Sequence, residues 1–241
     1  VLTIEEIGFF SLLVAISTLY VQVASLGLNN IILRYFPYYR SDDKTHGGFV
    51  TFISLFGGIS FIIFTLLFIL FKTPIANYYQ HKSGASLLLK YYYYIVPLSF
   101  FALIFTLLEG LAHTLFKNIL STFLREVLLR VFTAIGVLLI LLQWANYTDF
   151  ILIYVLANGI MAIILWLSIY RKRYFKITSI SQKLHQNKKE IIQYGLFAVL
   201  SGSSVAFIQS VGTLMLSAIT TQSMTYVGIY TTFFGIALII S

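Results

Sequence analysis

Seven stretches of the chain are apolar for far longer than a helix needs to bury one face in a soluble core. Residues 7–33 and 48–71 carry no charge, and 91–116 has one, Glu109, near its end. Residues 119–143 hold three charges, Arg125, Glu126 and Arg130, and 150–170 hold none. From Ile191 onward no charge occurs, and the polar run Thr220-Thr221-Gln222-Ser223 divides this tail into 191–219 and 224–241. About 20 helical residues at about 1.5 Å each cross a hydrocarbon core, so each stretch predicts a transmembrane helix. A membrane β-strand needs only roughly 9–11 residues and alternates apolar with polar, a pattern these runs lack. The predicted fold class is therefore all-α, a polytopic transmembrane helix bundle whose backbone polar groups are satisfied within each helix. Val1 stands where an initiator methionine would, and the last span stops while still apolar, which predicts an internal piece of a longer chain.

Composition agrees with lipid as the main solvent. The chain is 59% hydrophobic and 10% charged with a mean hydropathy of +0.90, where a soluble domain carries roughly 25% charge. There is no cysteine, so disulfides and thiolate metal sites are excluded. The net charge of +8 lies between the spans, which favours membrane orientation over a nucleic-acid surface. One set of connections holds Arg34, Arg40, Lys44, Lys117, Arg171, Lys172, Arg173, Lys176, Lys183, Lys188 and Lys189; the other holds Lys72, Lys82 and Lys90. The basic set predicts the cytoplasmic side. Tyr91 to Tyr94, Trp144, Tyr147 and Tyr170 lie at span ends and read as an interfacial aromatic belt in preference to sugar-stacking platforms. Residues 171–189 form the one long polar connection, a predicted linker between two helical lobes. Ile177, Ile180 and Leu184 recur there at helical spacing, which predicts a short helix lying on the membrane surface.

A charge inside a span costs about 2.5–3.5 kcal/mol on insertion scales, which makes the fourth span the first place to look for function. At 100° per residue, Thr122, Glu126, Arg130 and Thr133 form one polar stripe in which Glu126 and Arg130 are i,i+4 partners. Arg125 points about 100° away from Glu126 on the same helix. These charges read either as a structural ion pair beside a snorkelling arginine, or as Arg125 and Arg130 lining a hydrated cavity. In the second reading they bind an anionic group through the guanidinium fork. Gly202, Ser203 and Gln209 lie in the sixth span among further small and hydroxylated residues, and read as tight helix packing or as a gating bend. Arg34 follows Gly27, Asn29 and Asn30 and precedes Pro37, which predicts a helix stop at the interface, with Arg34 either capping it or touching cargo. No metal spacing, nucleophile elbow, phosphate loop or dinucleotide fingerprint is present, so no cofactor, no metal and no enzyme activity are expected. Glu109 and His113, again i,i+4, are the nearest thing to an acid/base pair and read better as a polar helix end.

The residues 4–37, IEEIGFFSLLVAISTLYVQVASLGLNNIILRYFP, together with LLEGLAHTLFKNILSTFLREVLLRV at 107–131, QYGLFAVLSG at 193–202 and VGIY at 227–230, resemble a known family. It is the polysaccharide-biosynthesis branch of the multidrug/oligosaccharidyl-lipid/polysaccharide exporter superfamily, the O-antigen-type oligosaccharide flippases. The resemblance implies the second to eighth helices of a protein with twelve to fourteen, arranged as two lobes around a cavity that opens alternately to each face. On that mapping residues 1–170 belong to the first lobe, 171–190 to a cytoplasmic linker and 191–241 to the start of the second. It further implies a bacterial inner-membrane protein that moves a polyprenyl-pyrophosphate-linked oligosaccharide outward, with membrane lipids around it, a coupling ion and no nucleic-acid partner. Arg125 and Arg130, with Glu126, Thr122, Thr133 and Arg34, would then form the substrate site. Many relatives carry an acid in the middle of the seventh helix where this chain has Gln209 and Gly212, which leaves Glu126 to bear any coupling through an intramembrane acid. A cation-coupled multidrug exporter of the same superfamily is the nearest alternative, and a membrane-embedded glycosyltransferase or acyltransferase a more distant one.

Overall fold

The computed structural model describes residues 2–42, 45–115, 118–171 and 178–240, and for 201–209 and 236–240 the backbone alone. All the regular structure among them is helical. Four stretches, Ile4–Ala24, His46–Leu70, Ala85–Thr114 and Tyr147–Arg171, are each long and apolar enough to cross a bilayer. The protein is a multi-pass membrane helix bundle. Lys44, Lys117 and 172–177, including Ile177 of the expected surface helix, lie outside the described residues.

The first helix, α1 (Ile4–Ala24), starts on a capping box: Thr3 Oγ1 accepts from the Glu6 amide at 3.2 Å, and the Thr3 amide donates to Glu6 Oε2 at 2.8 Å. The expected single helix through Leu33 is instead broken at residues 25–27. Leu26 and Gly27 both have positive φ, 45° and 72°. A methyl group on Gly27 would also overlap the Gly195 carbonyl, so the break seats α1 against a neighbouring helix. The chain then re-enters helix as α2 (Leu28–Tyr39). Pro37 does not stop it at once; the helix continues two residues further and ends at Tyr39.

A return span, α3 (Phe49–Leu70), leads to two short helices, α4 (Lys72–Tyr79) and α5 (Ala85–Tyr91), and then to α6 (Ile95–Thr114). Helix α7 (Asn118–Phe123) runs through one wide π turn, Leu124–Leu128, straight into α8 (Leu129–Leu141). After α9 (Tyr147–Arg171) comes α10 (Gln182–Ile219), capped by Ser181, and finally α11 (Ser223–Ile240). The polar stretch around Leu184 is thus not a separate surface helix but the first turns of α10. Two large buried clusters, with a smaller one around Val21, Phe61 and Leu103, hold the described part of the bundle. One joins Ile31 and Phe36 of α2, Phe49 and Ile53 of α3, Phe105 and Leu108 of α6, and Met161 and Leu165 of α9. The other joins Phe9 and Leu13 of α1, Tyr91 and Ile95, and Phe150 and Ile151 of α9. Outward-facing side chains such as Ile62, Leu66, Leu70, Leu156 and Ile163 are apolar and exposed, as a lipid-facing surface requires.

Of the span-end aromatics, Tyr94 and Tyr147 are partly buried and the other five divide into two groups. Trp144, Tyr93 and Tyr170 are exposed, as a belt predicts. Tyr91 and Tyr92 are fully buried packing residues instead, with hydroxyl contacts to Thr148 Oγ1 (2.7 Å) and the Phe68 carbonyl (2.6 Å).

Helices α10 and α11 lie along α1. A methyl group on Gly8 would overlap the Met224 carbonyl and one on Gly228 the Ile4 carbonyl, so the α1 and α11 backbones touch. One turn further Ser11 Oγ donates to Thr231 Oγ1 at 3.1 Å. At the end of the bundle away from Arg34, the α4–α5 connection grips the α10–α11 turn. Tyr78 and Lys82 both donate to the Ala218 carbonyl, and the Ser83 amide donates to the Thr221 carbonyl at 2.9 Å. Ser223 Oγ in turn donates to the Ser83 carbonyl at 3.0 Å.

Candidate functional site

One turn of α6 presents Phe105 and Glu109 towards the start of the π turn. Glu109 is buried and forms an ion pair with Arg125, Oε2 lying 2.6 Å from Nη2; the same guanidinium lies 5.3 Å from the centre of the Phe105 ring. Arg125 is therefore not a snorkelling cation beside the stripe. Its partner comes from another helix, and Glu126 is not the one intramembrane acid. Arg125 lies about 10 Å along the helix that begins at Asn118.

The π turn sets the directions of both arginines. The Leu129 amide reaches back five residues to the Leu124 carbonyl, so each residue of the turn advances by less than the 100° of a regular helix. Arg125 and Arg130 consequently face two adjoining cavities. The first, of about 570 Å³, is lined by Gln22, Asn29, Asn30, Glu109, Arg125 and Asn158 among others. The second, of about 940 Å³ and more open and apolar, is lined by Arg130, Thr133, Ser210, Thr213 and Thr231. Val14, Thr18, Leu129 and Tyr154 line both, forming the neck between them.

The first cavity is lined by polar groups from helices that are otherwise apolar. Ser17 Oγ and Asn29 Oδ1, which belong to residues that line it, are buried and have no partner among the described residues. Asn158 is tied to its own helix by Nδ2 donating to the Tyr154 carbonyl at 2.9 Å. The break after α1 supplies Asn29 and Asn30: by ending one helix and starting the next, it brings the first turn of α2 to the cavity wall.

The expected Glu126–Arg130 pair is made, at 3.0 Å, with both side chains exposed. Thr133 lines the second cavity with Arg130 and donates to the Leu129 carbonyl at 2.8 Å. Thr122 is exposed, and neither it nor Glu126 lines either cavity. Arg34 lies one turn past Asn30 and lines neither cavity; its guanidinium is 4.3 Å from the Tyr194 ring centre and 5.6 Å from that of Tyr35. The side chains of Gly202, Ser203 and Gln209 lie outside the described residues. Among the described residues no three His, Cys, Asp or Glu side chains gather as a metal site would require.

Sequence reasoning missed Glu109 as a site residue, and with it Gln22, Tyr154 and Asn158. Asn158 had a visible signal, a lone carboxamide in an otherwise uncharged span.

The sequence model of a family described as polysaccharide biosynthesis protein matches residues 1–241. No curated protein and no solved structure matches the chain.

Proposed function

The chain belongs to the polysaccharide biosynthesis protein family, and from that premise we propose that it exports a lipid-linked oligosaccharide by alternating access, holding the cargo's pyrophosphate at Arg125 and Arg130. The observation that carries this reading is the polar cavity inside an otherwise apolar bundle, with a guanidinium turned into it. The Arg125 side chain is 45% exposed where that of Glu109 is 9%, so the pair shows its cationic half to the cavity. A guanidinium suits a phosphate because its fork of donors matches two oxygens at once. The neighbouring Asn29, Asn30, Gln22 and Asn158 offer neutral hydrogen-bonding groups of the kind a sugar hydroxyl takes. A drug exporter would turn a carboxylate to its cationic cargo, and here both acids near the cavities, Glu109 and Glu126, are taken up by arginines.

In this reading the protein resides in the bacterial inner membrane. Residues 1–170 form one lobe, 171–190 the linker, and 191–241 open the second lobe, which rocks against the first. A bend at Gly202, Ser203 and Gln209 serves the gating, and any coupling ion acts through Glu109 or Glu126. The test uses the full-length protein. The double variant Glu109→Gln/Arg125→Gln removes the cation together with its counter-ion, so that no buried charge is stranded. At normal protein level it is expected to abolish surface polysaccharide. Normal polysaccharide would remove Arg125 from transport.

A further inference from the structure

We propose that Glu109 is the built-in counter-ion of the phosphate site, a positioning residue that holds Arg125 in the cavity and weakens its grip so that cargo leaves. This inference rests on the reading of Arg125 as the phosphate-binding group.

Three features of the geometry point to it. The first is the form of the ion pair. The ion pair joins Nη2 to Oε2, and a guanidinium has five donor hydrogens, more than one carboxylate takes up. Glu109 therefore occupies one edge and leaves donors for an incoming phosphate. The half-exposed Arg125 side chain shows that those donors face open space in the cavity. The pair is poised to become a triad of carboxylate, guanidinium and phosphate.

The second feature is that Glu109 is fixed. It is 7% exposed, it stands between Leu108, Gly110 and Leu111, all buried, and Phe105 one turn earlier supports the same guanidinium. The following residue, Gly110, sits so close to Asn29 Oδ1 that a methyl group there would come within 2.6 Å, so this part of α6 is clamped to α2. A carboxylate held this way cannot swing out when a second anion arrives. It stays, and it repels the phosphate across the shared cation.

The third feature is that Glu126, the other acid nearby, is engaged with Arg130, which leaves Glu109 alone among the described acids on Arg125. A transport site has to bind firmly enough to select and weakly enough to release. An unopposed guanidinium in that cavity would hold a pyrophosphate too firmly. Glu109 is what lowers that affinity.

The experiment measures binding of farnesyl pyrophosphate to the full-length protein in detergent, alongside surface polysaccharide in cells. Glu109→Gln keeps the size and one oxygen acceptor for Arg125 but removes the charge. Farnesyl pyrophosphate is expected to bind about tenfold more tightly, the scale of one charge at a partly hydrated site, while export falls. Glu109→Asp keeps the charge and retracts it by one methylene, so it folds more safely; a smaller tightening in the same direction is expected. Binding unchanged or weakened in both variants would overturn the proposal and make Glu109 a structural partner only. If the double variant Glu109→Gln/Arg125→Gln loses binding while both single variants bind like the wild type, this inference alone fails. If the double variant binds like the wild type, Arg125 holds no phosphate and the phosphate-site reading fails with it.

Discussion

Arg125 and Glu109 come together from sites sixteen positions apart, on helices whose pairing the local pattern does not state. What the sequence does show is the anomaly: three charges in one span, each costly enough to demand a reason. The i,i+4 pair of Glu126 and Arg130 was readable because it is local to one helix. The partner of Arg125 was not, since that requires knowing which face of α6 meets the π turn. This dependence gives a stability prediction. Arg125→Ala strands a buried carboxylate, and removing one member of a buried pair costs about 3–5 kcal/mol. The half-exposed arginine places the loss at the lower end, so a fall in Tm of several degrees is expected, and the double variant Glu109→Gln/Arg125→Gln should recover most of it. Equal Tm values for Arg125→Ala and the wild type in detergent would show that the pair is not structural.

Among elements, four of the seven expected spans stand among the described residues as helices long and apolar enough to cross a bilayer, and these were legible because length alone separates a membrane span from a core helix. Their irregularities were legible to different degrees. The break after α1 carries a sequence signal, Gly27 followed by Leu28-Asn29-Asn30, but continuous hydrophobicity around it masks the stop. The π turn has no such signal, since a stripe computed at 100° per residue assumes the regularity that Leu124–Leu128 abandons. The grip of the α4–α5 connection on the α10–α11 turn was also invisible, as it joins residues some 140 positions apart. If the two lobes rock, this grip has to open. The chain has no cysteine of its own, so Ser83→Cys/Ser223→Cys in the full-length protein tests it. Oxidation is expected to stop export and reduction to restore it; export unaffected by a formed cross-link would mean that the grip stays closed throughout the cycle.

At the scale of the whole molecule, the buried clusters and the lipid-facing surface divide cleanly along helix faces, and α1 is the axis around which the rest is arranged. It contributes to both cavities, meets α11 backbone to backbone at Gly8 and Gly228, and ends in the break that approaches Gly195 of α10. The family match agrees with a membrane bundle that serves polysaccharide biosynthesis; the cavity at Arg125 lies wholly within the proposed first lobe, and helices of both proposed lobes meet at the second cavity, beside Arg130. The most direct measurement is transfer of a lipid-linked oligosaccharide between leaflets of proteoliposomes that hold the full-length protein. The wild type is expected to move it and Glu109→Gln/Arg125→Gln, inserted to the same level, to leave it in place. Equal transfer by the two would contradict a phosphate held at Arg125.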